Sequence, residues 1–439
     1  MPHTSPRTAS KHYTYQLTYT QNFSTGADED GTVTVEYRVP QTYPDDQSVA
    51  GHRRLTKILI CVTEEWFLLS HFRPLVAQAQ QLADEVVVVT KSSGRTSEVE
   101  ALGVRVIPLD YSRGSINPLR QAFSINRLRR VLKSEVHDVV HVIGLQAIAQ
   151  VLVALRLINS KSSVMLHLTG LGFLGSSEKL SAKVIRRALR KGLSHEVQRP
   201  EFWLLVENPA DLDFLIDRPI SAVRRYTLLG GAGVDPDEFP LQKTPGGTFV
   251  RAAFVGRMLW SKGVDVFVKA AEILHSENVR LQVDLWGAAD QGSPGAIPHE
   301  ILRGWDKMDG ISWHGATNDV REVWRNSHIA VVPSLGGEGL PRALLEAAAS
   351  GRPLVVSNVP GCRDFVRSGQ EGLIVPPGDA RALAGALRKL IEDEHLRTNC
   401  GLAARSRVLE AYTENSVKEK IAFAYQSLAA SRAKGKKCD

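Results

Sequence analysis

Cysteine is scarce: only Cys61, Cys362, Cys400 and Cys438 occur in 439 residues. None stands at metal-ligand spacing from another. A cysteine-built zinc site and a disulfide framework are therefore excluded, and free thiols in a reducing compartment are expected. A signal peptide is lacking as well, because "MPHTSPRTASKHYTYQ" has no apolar stretch. No short internal repeat is apparent. Long apolar runs are almost absent. The best one, Val139 to Ile158, contains His141, Gln146, Gln150 and Arg156 and is interrupted at Gly144. It reads as a strand followed by a buried helix, not as a membrane span. These absences together point to a cytoplasmic protein.

What is present is a chain long enough for two cores, 43% hydrophobic, with 54 basic against 47 acidic side chains and a formal charge of +7. A moderate excess of this kind suits an anionic substrate or an acidic membrane surface, with nucleic acid a third option.

Residues 1–52 differ from the rest. They are rich in Thr, Tyr, Ser and Asp, and carry two alternating patches, "YTYQLTYT" and "GTVTVEYRV", which read equally as a hairpin or as a loosely ordered extension. From Leu55 onward, short β-branched runs alternate with amphipathic segments: "LTKILICVT", "DEVVVVT", "GVRVIPL", "DVVHVIG", "SVMLHLTG", "FWLLVEN". Runs buried on both faces and separated by helices specify a parallel sheet wrapped by helices. The rhythm pauses at "LQKTPGGT" and restarts with "FVRAAFVG", "RLQVDLWG", "ISWHG", "HIAVVPS", "RPLVVS" and "EGLIVPP". The expectation is two Rossmann-like α/β domains, 53–240 and 248–414, facing each other across a cleft, with a last helix at about 415–432 returning to the first. The segment 178–192, "EKLSAKVIRRALRKG", carries Lys179, Lys183, Arg186, Arg187, Arg190 and Lys191. It reads either as a solvated helix face or as a contact for anionic lipid.

The chemistry concentrates in the second half. In "GGEGLPRALLE", Pro341 suits the first turn of a helix, and Gly336, Gly337 and Gly339 let the preceding backbone approach a ligand. The amides of Gly339 and Leu340, at the positive end of the helix dipole, make an anion site suited to phosphate. Glu338 cannot help there, since like charges repel; it suits neutral hydroxyls, as on a sugar. Glu346 lies about 12 Å further along by helical rise, where a carboxylate can take the hydroxyls of a ribose. Upstream, in "FVGRMLWSKGVD", a strand ends at Gly256, and Arg257 and Lys262 follow in the loop. Cations past the carboxyl end of a strand lie where open α/β sheets bind ligands, and they can neutralise a leaving diphosphate without a metal.

These stretches, with "VVPSLGGEGLPRALLEAAASGRPLVVSNVPG" and "EGLIVPPGDARALAGALRKLIED", resemble the C-terminal half of family 4 glycosyltransferases, retaining enzymes of the two-Rossmann GT-B type. The resemblance spans roughly residues 55 to 430. It implies that Arg257 and Lys262 hold the donor diphosphate, that Glu338 meets the 3- and 4-hydroxyls of the donor sugar, and that Glu346 holds the ribose. It also implies that the loops "DLWGAADQ" and "WHGATND" surround the base.

In the first half, "CVTEEWFLLSHFRPLVAQAQQLADEVVVVT", "VMLHLTGLGFLG", "FWLLVENPADLDFLI" and "LLGGAGVDPDEF" resemble a subgroup that builds bacterial O-antigens, capsules and exopolysaccharides on undecaprenyl diphosphate. The chain departs from it at "VEN", where Gln-Asn is common, at "GGAGVD", and at His71-Phe72-Arg73. By resemblance, His167 stands close to the donor sugar, and Gly170 and Gly172 let the next loop approach the acceptor. Glu64 and Glu65 follow the first strand as loop or acceptor contacts, with His71 beside them. The two Asp-x-Asp stretches, Asp211–Asp213 and Asp235–Asp237, read as helix-start and turn residues, and neither a metal nor another cofactor is expected. The resemblance thus implies transfer from a nucleotide-sugar donor, UDP first, to a lipid-linked glycan at the inner face of the membrane, without nucleic acid. The same chemistry on a soluble acceptor and a non-catalytic nucleotide-sugar-binding subunit are the alternatives.

Overall fold

A computed structural model describes residues 17–21, 33–37, 54–111, 117–160, 162–171, 180–215, 225–247, 249–289 and 295–435. The chain divides into two units, Met1–Arg53 and Arg54–Asp439. In the first, β1 (Leu17–Gln21) pairs antiparallel with β2 (Val33–Tyr37), Leu17 opposite Tyr37 and Gln21 opposite Val33.

The second unit holds two parallel sheets. One contains β3 (Leu55–Glu64), β4 (Ala83–Lys91), β5 (Arg105–Pro108), β6 (Val139–Ile143), β7 (Ser163–Leu168), β8 (Phe202–Val206) and β9 (Tyr226–Leu228), in the order β5-β4-β3-β6-β7-β8-β9. The other contains β10 (Val250–Val255), β11 (Leu281–Trp286), β12 (Ile311–Gly315), β13 (Ile329–Val332), β14 (Leu354–Ser357) and β15 (Gly372–Val375), in the order β12-β11-β10-β13-β14-β15. β6, β7, β8, β13 and β14 are buried along their whole length, which is why their sequences are mostly apolar without alternation, with His141, Ser163, His167 and Ser357 as buried exceptions. In each sheet the strand order reverses once, between β3 and β6 and between β10 and β13. In open α/β sheets the loops leaving the carboxyl ends at such a reversal are where ligands bind.

Each sheet has an apolar core on either face. The run Val139–Ile158 divides into β6 and the helix Leu145–Leu157, hinged at Gly144, whose φ of 88° belongs to glycine. No helix among the described residues is long and apolar enough to cross a membrane. The last helix, Glu414–Gly435, packs Val417, Ile421, Ala424, Tyr425 and Leu428 into the core of the first sheet beside Met165 and Leu205. That stripe follows the three-and-four spacing of one helix face, and Tyr425 Oη lies 2.6 Å from His141 Nδ1. Cys61, Cys362 and Cys400 are buried and unpaired.

Candidate active site at the strand-order reversals

After β10 the chain passes Gly256 and Arg257 into a short turn, Trp260–Lys262, and then enters the helix Val264–Ser276 through Gly263. After β13 it runs through Ser334 into the glycine loop and the helix Arg342–Ala349, with Pro341 one place ahead of the helix, at its cap. Both segments leave the sheet at the β10–β13 reversal, so Lys262 and Glu338 meet: Nζ to Oε1 is 2.5 Å, and Ser334 Oγ donates to the same oxygen at 3.2 Å. Arg257 lies over the Trp66 ring at 5.7 Å. That ring belongs to the helix Glu65–His71, which follows β3 at the reversal of the other sheet.

Glu346 is buried on the helix Arg342–Ala349, and Arg342 Nε donates to its Oε1 at 2.8 Å. Burial pushes its carboxyl up, against the opposing pull of Arg342. Arg342 also donates through Nη1 to the carbonyl of Ser70, so one guanidinium ties the expected ribose carboxylate to the first half of the chain. His71 beside it bonds Ser70 Oγ through Nδ1 at 2.6 Å. Burial, then Arg342, Lys262 and Arg257, push its pKa down to about 3, so the ring is neutral at physiological pH.

The first half also meets the glycine loop through Gly170, Glu207 and Asn208. Gly170 has φ 96°, and a Cβ there would stand 2.6 Å from Gly339 N, so only glycine fits. Asn208 Nδ2 donates to Glu338 O at 3.4 Å and to Asp211 Oδ2 at 2.9 Å. The amide of Leu340, expected to be open for a phosphate, instead donates to Glu207 Oε2 at 3.0 Å. Glu207 stands in the "VEN" turn just past β8. Its departure from Gln-Asn was visible in the sequence; its reach to Leu340 was not.

One expected residue sits differently. Glu65 does not face the cleft. It is fully buried and accepts from Ser93 N at 2.7 Å, Arg95 N at 3.0 Å, Ser93 Oγ at 3.0 Å and Thr96 Oγ1 at 2.5 Å. Burial alone would raise its carboxyl, but these bonds outweigh it and hold it below its ordinary value. Glu65 thus organises the turn before the helix Thr96–Glu100. His167 stands at the end of β7, buried, with Phe72 edge-on at 5.2 Å and His141 at 5.6 Å between ring centroids. Neither ring nitrogen has a hydrogen-bond partner among the described residues, and burial lowers its pKa to about 3. Glu64 is buried at the end of β3.

Gly172 and Lys179 lie outside the described residues. In the basic helix, now Leu180–Glu196, Arg187 and Lys191 are exposed, and Arg186 and Arg190 are partly so. Asp211 lies in the helix Pro209–Leu215, where its amide is capped by Asn208 Oδ1 at 2.9 Å; Asp235 Oδ1 accepts from Asp237 N at 2.9 Å in a turn. The loops expected around the base are tied by Trp313 Nε1 to Gly287 O at 2.9 Å and by stacking of Trp286 on His314 at 4.1 Å.

Residues 57–198 match the family model described as glycosyl transferase 4-like, and residues 250–393 match that of glycosyl transferases group 1. The chain is 25% identical over 373 residues to the N,N'-diacetylbacillosaminyl-diphospho-undecaprenol alpha-1,3-N-acetylgalactosaminyltransferase of Campylobacter jejuni, covering 81% of this chain and 94% of that one. Among solved structures it is similar to Anabaena HepE in complex with UDP and glucose, at TM-score 0.66 and 15% identity, over 84% of this chain and 98% of that one. It is likewise similar to sucrose-phosphate synthase of Thermosynechococcus elongatus, at TM-score 0.69 and 18% identity, over 85% and 99%. The fold is therefore GT-B.

Proposed function

The chain belongs to the glycosyltransferases, a 4-like domain followed by a group 1 domain, and on that premise we propose retaining transfer of a sugar from a nucleotide diphosphate to a lipid-diphosphate-linked saccharide in bacterial surface polysaccharide synthesis. The observation that carries this reading is the meeting of Lys262 and Glu338 at the β10–β13 reversal, with Arg257 on the same loop. The acceptor resembles the lipid-linked one in the name of the Campylobacter relative.

As the bond from the anomeric carbon to the diphosphate oxygen breaks, negative charge grows on the leaving group. Arg257 and Lys262 balance that charge, and no metal is required for it. The acceptor hydroxyl attacks the same face of the anomeric carbon, and its proton passes to the departing diphosphate. Glu338 accepts hydroxyl hydrogen bonds from the transferred sugar, and Glu346 accepts those of the ribose. The exposed Arg187 and Lys191 hold the enzyme peripherally on anionic headgroups.

A panel of UDP-, GDP- and ADP-sugars tests the donor, since a ligand of the native state raises the melting midpoint. UDP-sugars come first because UDP occupies the HepE structure of the same fold. Stabilisation by one donor, followed by turnover that survives excess EDTA, is expected. No stabilisation by any donor overturns the reading. Loss of turnover on chelation, restored by magnesium or manganese, overturns its metal-free form.

A further inference from the structure

Glu207 is the least expected group at the site. It lies 133 positions before Leu340, is 8% exposed, and places Oε2 3.0 Å from the Leu340 amide. The carboxylate sits directly on the backbone: a Cβ at Gly339 would stand 1.8 Å from the same oxygen. Its neighbour Asn208 braces the turn against Glu338 O and Asp211. The Leu340 amide opens the helix Arg342–Ala349, where an anion is favoured by the free N–H groups and the dipole. Glu207 places a carboxyl oxygen there from within the chain.

We propose that Glu207 competes with a phosphate oxygen of the donor for the Leu340 amide, so that donor binding displaces it and its charge sets donor affinity. This rests on the donor reading above. Two like charges cannot share one amide in a buried site. The groups facing Glu207 sharpen the competition. Asp211 comes from the helix Pro209–Leu215 with Asp364 behind it, and Glu338 comes from the glycine loop with its charge answered by Lys262. Burial, then Asp211 and Glu338 against the Leu340 amide, push Glu207 up to about 8. Below that pH the neutral carboxyl yields readily to a phosphate. Above it, the carboxylate holds the amide and repels the incoming diphosphate. A residue that merely tied the two domains together would not make nucleotide affinity depend on pH.

The test is calorimetry of UDP, and separately of methyl diphosphate, on the wild type and Glu207→Gln at pH 7.5 and 9.0. Methyl diphosphate keeps its charge through this window, and the partial ionisation of the uracil N3–H of UDP near pH 9 is common to both proteins. Glutamine can still accept from Leu340 but carries none. Wild-type affinity should fall by about tenfold across the window, because the protonated, yielding form of Glu207 becomes scarce by about that factor. Glu207→Gln should change less than about twofold and be the tighter binder at pH 9.0. Wild-type affinity that does not move, or an equal fall in the variant, overturns the proposal. If methyl diphosphate shows the expected pattern and UDP binds neither protein, the competition stands and the UDP assignment fails. UDP binding that is indifferent to Glu207 keeps the donor and removes the competition. Binding of neither ligand overturns both.

Discussion

Lys262 and Glu338, on loops that leave neighbouring strands of one sheet, form an ion pair of 2.5 Å with both side chains largely shielded from solvent. The pair holds in one place the cation proposed to meet the diphosphate and the carboxylate proposed to meet the sugar. Lys262→Ala should cut turnover by about 10²-fold or more, the scale of losing one preorganised charge contact. Arg257→Ala should do likewise. Steady-state assays beside melting curves check this, and near-normal turnover in both folded variants removes the diphosphate assignment.

Glu338 and Glu346 should fail in different ways. In the proposed reaction Glu338 would meet the transferred sugar, whose bonding changes in the transition state, so Glu338→Gln should lower kcat strongly. Glu346, paired with Arg342 at 2.8 Å, is assigned in the same proposal to a ribose remote from the breaking bond. Glu346→Gln should therefore mainly raise the donor KM. Nucleotide calorimetry on both variants decides the matter. Weaker nucleotide binding in the Glu338 variant alone reverses the two roles.

Stability should carry a pH signature of Glu207. Its pKa is raised from 4.5 to about 8 in the folded state, so between these values the folded chain keeps a proton that the unfolded chain has lost. The resulting stabilisation is whole below about 4.5, drains as pH rises, and is gone above about 8. Glu207→Gln removes that dependence. The difference in stability between variant and wild type should grow in favour of the variant from pH 5 to 8, by on the order of 3 kcal/mol. Urea titrations at several pH values measure it, and parallel profiles contradict the buried-acid assignment.

The last helix should depend on one buried bond. Tyr425→Phe removes the hydroxyl 2.6 Å from His141 Nδ1 and leaves that nitrogen unsatisfied, at a cost of about 1–3 kcal/mol. His141→Phe in the same background should recover part of the loss, because two apolar partners strand no polar atom. An unchanged denaturation midpoint in Tyr425→Phe shows that the bond contributes nothing.

Much of this was legible in the chain itself. Continuous apolar runs such as "VVHVI" and "FWLLV" announce strands covered on both faces, because burial of both sides leaves no room for alternation. Gly256-Arg257, Lys262 and the pair Glu338–Glu346 were readable because strand ends, glycine turns and helix starts are set by local backbone chemistry. Tertiary structure alone decided the partners. Arg342 reaches Ser70 across 272 positions, Tyr425 reaches His141 across 284, and Glu207 takes the Leu340 amide across 133. Glu65, also at a strand end, was drawn into the Ser93–Thr96 turn. A sequence pattern reports where a side chain is placed along its own strand or helix. Which group it meets depends on how two sheets pack, and no local spacing encodes that.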